Sequence, residues 1–175
     1  KSETILKDIA ESQSSDIDAR RFLAELYAAW GNLLTNSPSP NDAMPLFGRS
    51  KELREEILKA TDADPHDRHS LARTYWDIGY CQRLMSASAP LEQWKTLLAK
   101  AIENYDRSIT MLEQLTAEFP SSLGFLTTLG DVYNTKAVAL SHQNNRGGPS
   151  ERERKANSED ALQPPVKSPA IKKRV

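Results

Sequence analysis

The sequence predicts an all-α chain of about six helices, paired into antiparallel hairpins that stack as an α-solenoid, with a disordered C-terminal tail. Three observations carry that expectation. Up to about residue 142, apolar residues recur every three to four positions, the period of helix faces and not of strands. Proline-bearing breaks separate those stretches. One cadence also returns: "LAELYAAWGNL" at 23–33 reappears as "LARTYWDIGYC" at 71–81, each with Tyr four, a large apolar residue seven and Gly eight positions after the Leu.

Ile5, Leu6 and Ile9 mark a first helical fragment. Asp16 or Asp18 is placed to cap a second helix, because a short carboxylate accepts the free N–H groups of a first turn. That helix carries Phe22, Leu23, Leu26, Tyr27, Trp30 and Leu33 on one broad stripe. Pro38 and Pro40 in "NSPSPND" end it, since proline lacks an amide hydrogen and disfavours helix in the residue before it. A third helix spans about Met44 to Ala60, with Leu46, Leu53, Ile57 and Leu58 inward, and "DADP" (62–65) closes it. A fourth starts at Asp67 and runs to about Leu84. Pro90 suits the first turn of a long fifth helix to about Glu118, stopped by Pro120. Ser121 or Ser122 opens the sixth, which ends near His142.

Residues 143–175 change character. They hold almost no large apolar side chain and are rich in Pro, Ser and charge, so burial cannot offset the entropy of ordering them. From Arg146 onward eight basic and four acidic residues leave the body acidic, although the whole chain carries only −1. That near-neutral balance gives no global pull toward nucleic acid or a membrane surface. No apolar run approaches the ~20 residues of a membrane-spanning helix. Cys81 is the only cysteine and forms no internal disulfide, which points to a reducing, cytoplasmic compartment. The chain opens at Lys1 without a signal-like pattern and reads as a piece of a longer protein, a repeat domain over 1–142 entered midway through a unit.

The repeat extends beyond the cadence. A degraded third copy, "LGDVYNTKA", begins at Leu129, with Lys136 in the large apolar position and Ala137 in place of Gly31 and Gly79. Between copies, "SKELREEILKATDADP" (50–65) aligns with "YDRSITMLEQLTAEFP" (105–120), proline on proline, and "ETILKDIAES" (3–12) echoes "EEILKATDAD" (55–64). A helical hairpin cannot cover its own apolar faces, so such units stack and share one continuous core. The glycines remove side-chain bulk where a paired helix comes close.

These residues resemble the tetratricopeptide repeat family, whose first helix carries a bulky residue, Leu-Gly and an aromatic, and whose second carries small, aromatic and small residues before a proline. Tyr75, Ile78 and Gly79 match the first helix; Ala101, Tyr105, Ser108 and Pro120 match the second. The period is longer than the family's, and "SASAPLEQWKTLL" (86–98) reads as an insertion in the loop of the second unit. The resemblance implies a concave wall of first helices whose contacts come from Glu25, Ala28 and Asn32, from Arg73, Trp76, Tyr80 and Arg83, and from Asp131, Asn134 and Val138. Two arginines with two aromatics suit an acidic or carboxylate-ended peptide. The competing expectation is that Trp76 packs against a neighbouring unit while the arginines pair with Asp77 or surface glutamates.

Other chemistry is weaker. Asp62, Asp64, His66, Asp67 and His69 in "TDADPHDRHS" are metal-ligand types, but their spacing is that of turns and helix caps. No nucleophile elbow, phosphate-binding loop or zincin motif is present. Lys167, Lys172, Lys173 and Arg174 form a basic terminus without interleaved aromatics, so base stacking is not expected. The sequence therefore predicts a non-catalytic scaffold that binds a protein or peptide, with no cofactor, no nucleic acid and no membrane insertion. The alternative is a regulatory or targeting region of a larger enzyme, resembling the repeat regions of bacterial serine/threonine protein kinases.

Overall fold

In the computed structural model the described residues are 16–37, 39–60 and 64–147. The fragment around Ile5–Ile9, Asp62 and the tail from residue 148 lie outside them. The described residues form five helices and no strand: α1 (Ile17–Thr35), α2 (Ala43–Ala60), α3 (Pro65–Ser88), α4 (Leu91–Glu118) and α5 (Leu123–Gly147), with a 3-10 turn at Pro40–Asp42.

Helix starts follow the expected chemistry. The Asp16 side chain accepts from the Asp18 N–H at 2.9 Å, and that of Asp64 from the His66 N–H at 2.8 Å. Each satisfies a donor that a helix start leaves free. Pro65 follows Asp64 as the first helical residue, where its missing N–H removes no bond. "DADP" thus opens α3, two residues earlier than expected. Helix α5 runs to Gly147, past the expected end at His142.

α1, α3 and α5 begin at residues 17, 65 and 123, which are 48 and 58 apart. The helices between them end at residues 60 and 118, also 58 apart. The repeat therefore aligns α2 with α4 at 58 and not at the 55 given by matching Pro65 to Pro120. Those prolines are not equivalent: Pro65 is inside α3, whereas Pro120 lies in the turn before α5. The ten extra residues of the second copy are not a loop insertion. They lengthen α3 and α4, leaving only Ala89 and Pro90 between the two helices, and they place Trp94 and Leu98 in the core. Apolar residues at helical spacing continue the buried stripe of α4, which makes helix a better outcome than loop.

Contacts fix the directions. Phe47 meets Gly31, Ser50 bonds to Ala24 and Arg54 reaches Glu25, so α2 runs opposite to α1. Tyr105 meets Gly79 and Glu118 bonds to Arg68, so α4 runs opposite to α3. α1, α3 and α5 run parallel: Arg21 pairs with Asp67 and Asn32 with Asp77, then His69 with Thr128 and Trp76 with Thr135. α3 is central and touches all four other helices, while α2 and α4 do not touch each other.

The larger core cluster joins Ala72, Trp94, Leu98, Ala101, Tyr105, Leu112 and Leu115 to Phe125, Val132 and Ala139; the smaller holds Ala43, Phe47, Ile78 and Cys81. Each large apolar side chain so buried contributes about 1.5–3 kcal/mol. Two expected faces are corrected. On α2 the inward residues are Ala43, Phe47, Ser50, Arg54 and Ile57, while Leu46, Leu53 and Leu58 are only partly covered, because Phe47 must face Gly31. On α1, Phe22 and Leu33 are 63% and 72% exposed, since the face toward α2 is led by Leu23, Ala24, Tyr27 and Gly31.

Candidate functional site

α3 packs against all four other helices, and one face of it keeps a strip of side chains that are only partly covered. Arg73, Trp76, Tyr80 and Arg83 are spaced three, four and three apart and share that strip. Arg73 is exposed; the other three are half-buried. Glu25 and Asn32 on α1 are exposed, as are Asp131, Asn134 and Val138 on α5, whereas Ala28 is buried. Helix starts at 17, 65 and 123 give Glu25, Arg73 and Asp131 the same position on three parallel helices, with charges that alternate across the row.

Several of these side chains already have partners. Glu25 accepts from Arg54 Nη2 at 2.7 Å, and Arg54 also donates through Nε to Ser50 at 3.2 Å. Trp76 packs on the larger core and donates through Nε1 to Thr135 at 3.2 Å, linking α3 to α5. Asn32 donates to Asp77 at 3.4 Å. Burial pushes the Asp77 carboxyl up to about 6, against the opposing pull of Asn32, Arg73 and Arg54. Neither arginine of the strip is tied to Asp77 by a hydrogen bond.

The Arg83 end of the strip has unmet donors. The Arg83 guanidinium carbon lies 4.9 Å from the Tyr80 ring centroid, a cation–π stack. The Arg83 Nε and the Tyr105 hydroxyl are buried, and neither makes a hydrogen bond. Burial drives the Tyr105 phenol pKa up, and the neighbouring Arg83 charge pulls the other way. The phenol oxygen can accept from the guanidinium, and that interaction also lowers the Tyr105 pKa. Neither Arg83 Nε nor the Tyr105 hydroxyl makes a well-formed hydrogen bond, however, and a buried donor without an acceptor is costly. Sequence reasoning selected Arg83 and Tyr80 but missed Tyr105, which it assigned only to helix packing. Its signal was the hydroxyl: the equivalent side chain in the first copy is Phe47.

Of the metal-ligand types in "TDADPHDRHS", Asp62 lies outside the described residues. Asp64 caps α3, and Asp67 accepts from Arg21 at 2.7 Å. His69 bonds to Thr128 at 2.9 Å, and burial followed by the Arg73 charge lowers its pKa. Among the described residues no three His, Cys, Asp or Glu side chains gather as a metal site. Arg21, Glu25, Arg54, Asp64, His66 and Asp67 line a cleft of about 350 Å³ where α1, α2 and the start of α3 meet. Its ionised groups largely pair with one another. Cys81 is buried with its thiol pKa pushed up by burial, and Sγ donates to the Pro40 carbonyl at 3.3 Å. No described helix is long and apolar enough to cross a membrane.

The chain matches no family model, no curated protein and no solved structure.

Proposed function

We propose that this chain is a non-catalytic recognition module, a tetratricopeptide-like α-solenoid whose parallel helices α1, α3 and α5 present an inner wall to an acidic, carboxylate-ended peptide or protein segment. Support for the solenoid comes from the twice-used close approach of an aromatic to a glycine and from the common starts of the three helices. The observation that carries the ligand chemistry is the pair of buried, unpartnered donors at Arg83 Nε and Tyr105 Oη beneath the Tyr80–Arg83 stack. A carboxylate is the acceptor that two such donors lack, and a charge-assisted bond is about twice as strong as a neutral one. Arg73, at the other end of the strip, extends the positive field along the bound chain. Trp76 contributes an apolar surface while its Nε1 remains with Thr135.

The test is fluorescence anisotropy with a labelled peptide of alternating Glu and Leu, offered with a free C-terminal carboxylate and again as the amide. The reading expects saturable binding that weakens roughly tenfold on amidation, since one charge-assisted bond is worth about 1.5–3 kcal/mol. Tyr105→Phe should reproduce that loss for the free acid and leave the amide unaffected. Equal binding of acid and amide would remove the carboxylate from this reading.

A further inference from the structure

α5 differs from α1 and α3 on one face. In those two helices, Leu23, Ala24, Tyr27 and Gly31, or Leu71, Ala72, Tyr75 and Gly79, receive the next helix. At the same positions α5 presents Leu129, Gly130, Tyr133 and Ala137, flanked by Leu126 and Leu140. Leu129 is half-buried against the larger core, but much of the stripe is open: Leu126, Tyr133 and Leu140 are 43%, 45% and 39% exposed, and a Cβ built on Gly130 meets nothing within 4 Å.

Two features specify what the stripe accepts. A third helix seated as closely as α2 or α4 is disfavoured, because Ala137 stands in the glycine position; a Cβ at Gly31 or Gly79 would lie 2.7 Å from the incoming aromatic ring. The stripe is also symmetric in sequence. Leu126, Leu129, Tyr133, Ala137 and Leu140 lie at −7, −4, 0, +4 and +7 relative to Tyr133. Turned end over end about Tyr133, the stripe sets each Leu126 against Leu140 and each large Leu129 against the small Ala137. Such self-complementarity is what a twofold, isologous contact demands. Its polar groups do not oppose the contact: the Tyr133 hydroxyl donates to Glu113, and Lys136 pairs with Asp106 on α4. Lys136 would face the open space at Gly130.

We infer that a second copy of this chain packs its α5 antiparallel against this α5, on a twofold axis through Tyr133. The seam is separate from the inner wall, because Asp131 and Asn134 lie off the stripe on α5.

The test uses the full chain in sedimentation equilibrium. The wild type should be a dimer. Leu126→Glu alone and Leu140→Lys alone should each weaken self-association by tenfold or more, with helical circular dichroism unchanged, because both leucines are largely on the surface. Mixing the two variants should restore a dimer, since one end of the seam then sets the introduced carboxylate against the introduced ammonium while the other end keeps Leu against Leu. A monomeric wild type would overturn the inference, as would a dimer indifferent to Leu126→Glu or a mixture with no recovery. A monomer in which the chain's own residues 148–175 cover α5 counts as overturning it.

Discussion

A Cβ placed on Gly79 would lie 2.7 Å from Cε1 of Tyr105 and 2.9 Å from the carbonyl oxygen of Ala101. The first copy has the same approach, but there the three atoms nearest a Cβ on Gly31 all belong to the Phe47 ring. A ring can pivot, whereas the backbone of a second helix moves only with the whole helix. Gly→Ala in a helix interior gains about 1 kcal/mol of propensity, and overpacking typically loses about 1–3 kcal/mol. Gly31→Ala should therefore be mildly destabilising and Gly79→Ala clearly more so, by about 2 kcal/mol in urea unfolding followed by circular dichroism. Equal effects would show that the Ala101 carbonyl is not the constraint.

Ser50 and Ser108 occupy the same position in the two copies and are both fully buried. Ser50 donates to the Ala24 carbonyl at 2.8 Å and accepts from Arg54, whereas the Ser108 hydroxyl has no partner. Ser50→Ala should destabilise by about 1–2 kcal/mol, because it also strips a partner from buried Arg54. Ser108→Ala should be neutral or stabilising. Thermal melts of the two variants check the contrast.

Trp76 ties α3 to α5 through packing and one hydrogen bond. Trp76→Phe keeps most of the packing and should lose about 1 kcal/mol. Trp76→Ala should lose about 3 kcal/mol, as large aromatic truncations do. Chemical denaturation with both variants checks this; a stable Trp76→Ala variant would mean that the indole is a surface group.

Asp77 gives the chain a signed pH dependence. Its folded pKa is raised from 3.8 to about 6 by burial, so the folded state holds the proton more tightly than the unfolded state. That stabilisation is complete below the unfolded pKa and lost as pH rises through about 6. The Asn32 hydrogen bond and the Arg73 and Arg54 charges favour the carboxylate and limit the shift, whereas Glu25 adds to it. Asp77→Asn should be more stable than wild type by about 1–2 kcal/mol near neutral pH, with the advantage vanishing below the unfolded carboxylate range. The comparison cancels His69, whose lowered pKa gives a slope of opposite sign. Denaturation midpoints at several pH values supply the measurement.

The all-helical character and most helix boundaries were legible because proline, aspartate caps and the 3.6-residue period act locally. The cadence around Gly31 and Gly79 also located the close approaches, since only glycine removes a Cβ. What misled was the proline match of 65 to 120, because a proline beside a helix end can equally open the next helix. The extra residues 86–98 looked like a loop for the same reason: one proline, Pro90, between two helical stretches. On the candidate site, spacing placed Arg73, Trp76, Tyr80 and Arg83 on one strip, but it gave no access to partners across helices. The Trp76–Thr135 bond, the Glu25–Arg54 pair and the position of Tyr105 Oη beside Arg83 join residues 22 to 59 positions apart. Such relations depend on how helices are set against one another.

Charge reversal on the strip tests the central claim most directly. Wild type and the Arg73→Glu/Arg83→Glu variant are titrated with two labelled peptides, one of alternating Glu and Leu and one of alternating Lys and Leu, at equal melting temperature. The account predicts that the wild type prefers the acidic peptide at least tenfold and that the variant loses that preference or reverses it. A variant that binds the acidic peptide as tightly as the wild type would contradict it.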